Sequence, residues 1–316
     1  FFNIKKYKKT MHIILIFILC LVSIQLITCK LPPKRLRTIQ RERSIEIARG
    51  QLATTGQFPF QVGFVCERNG NPMFHFCGGS ILSSNKILTA GHCCQDFPGL
   101  SNVRVVAGRT QIVPDAAHAN EGSVFTIASY DQHENYNDAS LSNDLCIVTV
   151  SENMTFSSSL SSIVIPGVED EVSPGDEVSI SGWGFTHTAV HPNDLYYDSV
   201  PIRNASHCLL NSHESLSSLC AATDDGHDSC RGDSGGPLFA SRLVDNQKSS
   251  VLYGVVSWGV GSCGAYGSYG VYVRLTNYRS WIVSKVPSVR LSNSKKSPSD
   301  VFILTWRSIL CSLSSA

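Results

Sequence analysis

The stretch Gly232 to Gly236 constrains this chain more than any other, because it places one reactive side chain, Ser234, among three glycines. Glycine has no Cβ, so these positions allow backbone dihedrals that other residues avoid and let a second backbone come close. A serine attacks an amide only when a general base lies within hydrogen-bond reach and a third group orients that base. The stretch therefore predicts a sharply bent loop with a candidate nucleophile, whose partners must come from elsewhere in the fold.

Two upstream segments supply candidate partners for the serine. His92 follows the β-rich run Lys86 to Thr89 and precedes Cys93. Asp144 stands at the start of the apolar run Leu145 to Val150, where its carboxylate can be buried against an imidazole. A histidine base held by a buried aspartate is a recurrent way to activate a serine. The other histidines have no comparable surroundings and are interpreted as surface or loop residues.

The order of these motifs carries a resemblance. His92, Asp144 and Ser234 occur in that order, with a Ser-Trp-Gly step at Ser257 downstream, and together they resemble the trypsin-like, chymotrypsin-fold serine proteases. The resemblance implies that His92 takes the proton of Ser234 during attack on a peptide carbonyl, while Asp144 holds the imidazole. It also implies an oxyanion hole formed by the backbone N–H groups of Gly232 and Ser234.

The fold class expected is all-β, with two six-stranded antiparallel β-barrels, a cleft between them and a C-terminal helix. His92 and Asp144 are expected on the first barrel and Ser234 on the second. Short β-rich runs separated by turn residues, without sustained helical periodicity, agree with this. The expected strand regions are Phe58 to Val65, Phe74 to Leu82, Lys86 to Thr89, Val103 to Ala107, Val124 to Ser129, Leu145 to Val150, Val178 to Gly182, Ser199 to Ile202, Pro237 to Ala240, Val251 to Ser257 and Gly270 to Leu275, and the helix is expected over Tyr278 to Val286.

A primary specificity pocket is also implied by the resemblance. Asp228 precedes Ser234 by the spacing at which trypsin-type enzymes hold a carboxylate, and a buried, unpaired carboxylate favours Arg or Lys in the substrate. Arg231, at the pocket rim, is expected to favour acidic groups beside the cut. The implied substrate-binding residues are Asp228, Ser229, Ser257, Trp258, Gly259 and Gly270.

The N-terminal region is interpreted as a targeting segment. Residues 13 to 27 are almost wholly apolar and are followed by basic residues and prolines, which is typical of a signal peptide and short for a retained membrane anchor. We expect upstream residues and a signal peptide at 1–29, a propeptide at 30–46, the protease domain at 47–289 and a tail of unknown role at 290–316. Secretion to the extracellular space follows, and the sequons at Asn153 and Asn204 are candidate glycosylation sites.

Twelve cysteines in an exported chain predict disulfides. The resemblance implies three pairs, namely Cys77 with Cys93, Cys208 with Cys220, and Cys230 with Cys263. The other cysteines do not carry over from the family. We expect Cys66 and Cys94 on neighbouring loops, where an additional bridge between them is possible, and Cys146 as a free thiol in the core; the pairing of Cys311 stays open.

Activation is implied to depend on a new N-terminus at Ile47, whose ammonium would pair with Asp233. The residue before Ile47 is Glu46, where trypsins carry Arg or Lys, so the enzyme's own expected specificity cannot make this cut. The expected partners are therefore protein or peptide substrates, protease inhibitors and a separate activating protease. The protein is expected to be a monomer, and a net charge of +1 gives no case for nucleic acid or an anionic membrane.

No cofactor and no metal are expected. Arg109 stands where calcium-binding family members have glutamate, and the run His92 to Cys94 has no second cluster with zinc-site spacing. Tyr269 leaves sodium modulation open, although it can equally be a packing residue.

Two alternative functions also remain at this point: a catalytically inactive homologue acting as an extracellular adaptor, and a chymotrypsin- or elastase-like specificity, which Asp228 opposes.

Overall fold

The structure is a computed structural model that describes residues 50–68, 71–99, 102–114, 122–185, 192–211, 214–224, 229–261 and 265–292. The expected signal peptide and the propeptide lie outside these residues, as do Ile47, Asp228 and Cys263. None of the described helices is long and apolar enough to cross a bilayer.

Strands dominate the described chain. They are β1 Gln51–Leu52, β2 Gln61–Arg68, β3 Asn71–Ile81, β4 Lys86–Thr89, β5 Val103–Ala107, β6 Ser123–Gln132, β7 Cys146–Val150, β8 Glu177–Gly182, β9 Tyr196–Arg203, β10 Ser218–Ala221, β11 Pro237–Val244, β12 Gln247–Val260 and β13 Tyr269–Arg274. The helices are α1 Gly91–Asp96, α2 Glu214–Ser217 and α3 Leu275–Lys285, and a 3-10 turn covers Phe97–Gly99.

Two antiparallel barrels result, which confirms the expected fold class. The first closes in the order β2-β3-β4-β7-β6-β5. In the second, β8-β9-β10-β13-β12-β11 form a sheet that closes through β11–β8 pairing, and β1 adds to the edge at β9. Strands β4 and β5 have the bounds that the sequence predicts, whereas β1, β10 and α1 were not among the expected elements.

The two barrels share an apolar contact. Branched and aromatic side chains point inward at alternate strand positions, and Phe64, Ile81 and Leu88 are among the buried ones of the first barrel. Phe239 of β11 packs edge-on against Phe58 at 5.3 Å and against Phe60 at 5.1 Å, measured between ring centroids. Burial of rings at this seam fixes one barrel against the other and so sets the cleft between them.

The C-terminal segment adds further contacts between the barrels. Helix α3 follows β13, and its Trp281 donates to Glu134 of the first barrel at 2.9 Å while Lys285 pairs with the same carboxylate at 2.8 Å. Residues 286–292, here called the C-terminal strap, then pair with the segment that connects the barrels. Ile165 donates to the carbonyl of Arg290 and accepts from the N–H of Ser292, each at 2.9 Å.

Candidate active site

His92 is held on a helix too short to be stable alone. Helix α1 has six residues, and its N-cap, Ala90, offers no side-chain hydrogen bond. Asp144 supplies one instead, because its Oδ1 accepts the backbone N–H of His92 at 2.8 Å. Gln132 adds a bond from its Nε2 to the carbonyl of Gly91 at 2.9 Å. The carboxylate therefore caps the helix that carries His92.

The acid and base also bond through their side chains. Asp144 is fully buried, and its Oδ2 lies 2.8 Å from Nδ1 of His92 and accepts from the hydroxyl of Ser257 at 2.5 Å. A ring nitrogen that faces a carboxylate carries the proton, which leaves Nε2 as the acceptor. That Nε2 is buried and has no hydrogen-bond partner among the residues that the structure describes. The imidazole is therefore oriented to take a proton from a third group.

Ser234 lies beside the helix of His92. Its carbonyl oxygen accepts the N–H of Gly78 at 2.8 Å and is 3.6 Å from Sγ of Cys93, the residue that follows the histidine. The next residue, Gly235, has φ +80, and a Cβ there would lie 2.1 Å from Oγ1 of Thr89. Only glycine lets the loop that carries Ser234 approach the first barrel this closely.

The backbone around Ser234 offers two donors. Gly232 has φ +96, and a Cβ on it would lie 3.1 Å from Cα of Gly184, so this position also needs glycine. Within the described residues, neither the N–H of Gly232 nor that of Ser234 donates a backbone hydrogen bond. Two backbone N–H groups without backbone partners are what the expected oxyanion hole requires.

Asp233 is a second buried carboxylate, between these two donors. It accepts the backbone N–H groups of Gly184 and Cys230, both at 2.8 Å. Burial raises the pKa of Asp233 to about 7, although the two N–H bonds act in the opposite direction. No side-chain cation among the described residues pairs with it. The site thus favours either a proton or a positive group that arrives from elsewhere.

The region expected to form the specificity pocket is described in part. Ser229 is buried, and its Oγ accepts the hydroxyl of Tyr272 at 3.1 Å. Gly259 and Gly270 are paired on β12 and β13, and a Cβ on Gly259 would lie 3.0 Å from the carbonyl oxygen of Tyr269. Trp258, next to this pair, is partly buried. Asp228 lies outside the described residues, so the structure gives no position for the expected pocket charge.

Comparison with known proteins places the chain in a family. The sequence model of the Trypsin family matches residues 47–282. The chain belongs to the trypsin family. It is 35% identical over 246 residues to Trypsin delta of Drosophila melanogaster, covering 75% of this chain and 87% of the relative. It is also 35% identical over 245 residues to Trypsin-1 of Astacus astacus, covering 75% of this chain and 98% of the relative.

Membership of the trypsin family supports the coarse function, a serine endopeptidase that acts on protein substrates.

Tyr269 is buried on β13, and its ring centroid lies 6.4 Å from that of His207; sodium modulation there stays a prediction. In the described residues, one group of side chains is close enough to hold a metal, namely Cys77, His92 and Cys93. Its two sulfurs are bonded to each other, so they are not the thiolates that a metal would bind.

The disulfides of this trypsin-family chain differ from expectation at one place. Cys77–Cys93 and Cys208–Cys220 are bonded as implied. Cys230 is also disulfide-bonded, while its expected partner lies outside the described residues. The possible Cys66–Cys94 bridge and the free thiol at Cys146 were both wrong, because Cys94 is bonded to Cys146. The barrel places β7 beside α1, which brings these two cysteines together although 52 residues separate them.

Sequence reasoning also missed residues that support the acid. The hydroxyl of Tyr278 on α3 donates to Oδ1 of Asn143 at 3.0 Å, and Asn143 has φ +54. Its Nδ2 donates to the carbonyl of Asn135 at 2.8 Å. The sequence did offer one signal for a sharp turn before Asp144, namely Asn143. Asparagine tolerates the left-handed backbone region that such a turn needs.

Proposed function

We propose that this protein is a secreted serine endopeptidase, made as a zymogen, that cleaves peptide bonds after Arg or Lys. In this mechanism Ser234 attacks the scissile carbonyl, Nε2 of His92 takes its proton and later returns it to the leaving amine, and Asp144 stabilises the imidazolium. The N–H groups of Gly232 and Ser234 would stabilise the oxyanion, at a few kcal/mol per donor.

One observation carries the catalytic part of the proposal. The imidazole of His92 is tied through Nδ1 to a fully buried carboxylate, while its Nε2 is unpartnered among the described residues and its helix contacts the Ser234 loop. Most buried side-chain polar atoms are hydrogen-bonded, so an unpaired Nε2 on an imidazole that is held this firmly favours a role in proton exchange. This arrangement fits a base that exchanges protons with a serine.

Covalent labelling tests the catalytic role directly. We expect the activated enzyme to react stoichiometrically with a fluorophosphonate at Ser234, and Ser234→Ala to remain unlabelled. As a matched control, Ser241→Ala on β11 removes an exposed serine of the second barrel and should leave labelling intact. An adaptor homologue would not react, so an unlabelled wild type would overturn the proposal.

The Arg/Lys preference rests on Asp228 in the sequence and on the trypsin relatives. The paired glycines Gly259 and Gly270 are compatible with a pocket that admits a long side chain. We expect Asp228→Ser to abolish cleavage after Arg and Lys on a peptide library. Asp224→Ser is the matched control, because Asp224 is exposed and pairs with Arg203 at 2.9 Å. Tryptic cleavage retained by the Asp228 variant contradicts the pocket assignment.

The zymogen proposal is supported by Asp233. A carboxylate that is buried, with its pKa raised to about 7, gains most from an ammonium that reaches it only after cleavage. The proposed cut is between Glu46 and Ile47, which a trypsin-like enzyme does not make. Wild-type precursor should therefore stay inactive on treatment with trypsin, whereas Glu46→Arg should become active. N-terminal sequencing checks this, and active wild-type material that begins at Ser44 or Gly50 would contradict it.

A further inference from the structure

The Cys94–Cys146 bridge joins the segment that carries His92 to the segment that carries Asp144. Cys94 is two residues after His92, and Cys146 is two residues after Asp144. All four side chains are buried, with exposures of 5% or less. We propose that this bridge is a positioning element that holds the His92–Asp144 pair in its reactive geometry. The proposal rests on the catalytic role of that pair given above.

Two adjacent disulfides fix helix α1 to different strands. Cys93 is bonded to Cys77 on β3, and Cys94 is bonded to Cys146 on β7. Consecutive side chains on an α-helix point about 100° apart. A single bridge leaves the helix free to rotate about the bonded residue, whereas two bridges in different directions fix its rotation. The direction of the His92 ring follows that rotation.

Each bridge serves a different partner of the histidine. Sγ of Cys93 lies 3.6 Å from the carbonyl oxygen of Ser234, so the first bridge fixes the helix near the nucleophile loop. Cys146 begins the strand that follows Asp144, so the second fixes the helix near the acid. The base is thus tied covalently toward both groups with which it must exchange or share a proton.

Strand pairing closes the second connection into a small ring. Thr89, the last residue of β4, pairs with Cys146 in the antiparallel register, and α1 begins two residues later. Residues 89–94 are therefore connected to Cys146 of β7 at both ends, by strand pairing at Thr89 and by the disulfide at Cys94. His92 lies within the ring that these two connections close. Cys146, two residues after Asp144, cannot move away from helix α1 unless the strand pairing or the bridge yields. A displacement of about 1 Å in an acid–base pair can reduce catalysis on the order of 100-fold.

The test separates positioning from general stability. We compare wild type, the double variant Cys94→Ala/Cys146→Ala and the volume-restoring variant Cys94→Ala/Cys146→Val, each as the full chain carrying Glu46→Arg and activated by trypsin. Val148→Ala is the matched control, because Val148 is fully buried on the same strand but is not bonded to α1. Active sites are counted with a fluorophosphonate, and kcat and KM are measured per titrated site across pH, well below every melting temperature.

We expect kcat per titrated site to fall about tenfold in both bridge variants, with KM little changed. The acid limb of the kcat/KM profile should move to lower pH, because a carboxylate held less firmly stabilises the imidazolium less. Val148→Ala should lower the melting temperature and leave kcat and the profile unchanged. Bridge variants that lose only melting temperature would overturn the positioning role. A wild type that fails to react with the fluorophosphonate would instead overturn the proposed function.

Discussion

Asp144 and Asp233 are both buried carboxylates beside the same cleft, yet their surroundings differ. Asp144, next to the first barrel, is met by the N–H of His92, by its imidazole and by the hydroxyl of Ser257. Asp233, in the nucleophile loop, is met by two backbone N–H groups, and its pKa is raised to about 7. Both oxygens of the Asp144 carboxylate are therefore hydrogen-bonded by side chains or the backbone of the first barrel and by Ser257, whereas the Asp233 carboxylate is bonded by backbone N–H groups and pairs with no side-chain cation among the described residues.

The largest expected effect comes from removing the charge at Asp144. Asp144→Asn keeps the size of the side chain but cannot stabilise the imidazolium, so kcat/KM at neutral pH should fall on the order of 10⁴-fold. Asp170→Asn is the control, because Asp170 is equally an interior carboxylate but bonds Tyr253 and Ser292. Steady-state kinetics of both variants, normalised to titrated sites, measure this. Equal losses in the two variants would show that burial, rather than position, is what matters.

The second effect is a pH dependence of stability that Asp233 imposes on the precursor. Below about pH 4 the carboxyl is protonated in both folded and unfolded chains, and between about 4 and 7 only the unfolded chain ionises. The free energy of unfolding should therefore fall as pH rises through this window, by up to roughly 4 kcal/mol for a pKa raised from 3.8 to about 7.

Urea unfolding of the precursor at pH 4, 5.5 and 7.5 checks this, with Asp233→Asn as the reference. The variant should match wild type near pH 4 and exceed it at pH 7.5, because asparagine resembles the neutral acid. Parallel curves for the two proteins would contradict the assigned cause. Enzyme that has undergone the proposed cut before Ile47 should show a smaller fall with pH.

Gly184, which packs against the carboxylate of Asp233, tests how tightly that carboxylate is held. A Cβ on Gly184 would lie 2.3 Å from Oδ2 of Asp233, so Gly184→Ala must displace a carboxylate that cannot leave its cavity. We expect a loss of about 2 to 3 kcal/mol in the free energy of unfolding, together with loss of activity. Gly175→Ala is the control, because its φ of +95 strains alanine although nothing lies within 4 Å of the new Cβ. Thermal unfolding distinguishes crowding from backbone strain.

The smallest effect concerns the support of the acid by the C-terminal helix. Tyr278→Phe keeps the ring packed against His133 but removes the hydroxyl that holds Asn143. We expect a loss of about 1 kcal/mol in stability and a two- to fivefold lower kcat, on the order of one hydrogen bond. Tyr197→Phe removes an exposed hydroxyl that bonds Gln51 and should change neither. An unchanged kcat in the Tyr278 variant would limit the helix to a structural role.

Sequence predicted those parts of the site that depend on local backbone constraints. Glycines at 232 and 235 were needed for one bent loop, and the bounds of β4 and β5 follow from β-branched and apolar runs. Helix α1 was not predicted, because six residues give no helical periodicity and its cap comes from Asp144, 52 residues away. The Cys94–Cys146 bridge could not be predicted for the same reason, because that pairing depends on which strand the barrel places beside the helix.

The C-terminal strap has a consequence for the order in which the chain folds during synthesis. Strands β2 to β7 are contiguous, so the first barrel can close as soon as residue 150 has left the ribosome. The segment between the barrels must wait longer. The N–H of Gly167 bonds Oγ of Ser292, a partner 125 residues later in the chain. Contacts this distant in sequence form slowly. The pairing between the C-terminal strap and the segment that connects the barrels therefore forms last, and until then its unpaired backbone is exposed to misfolding and to other chains.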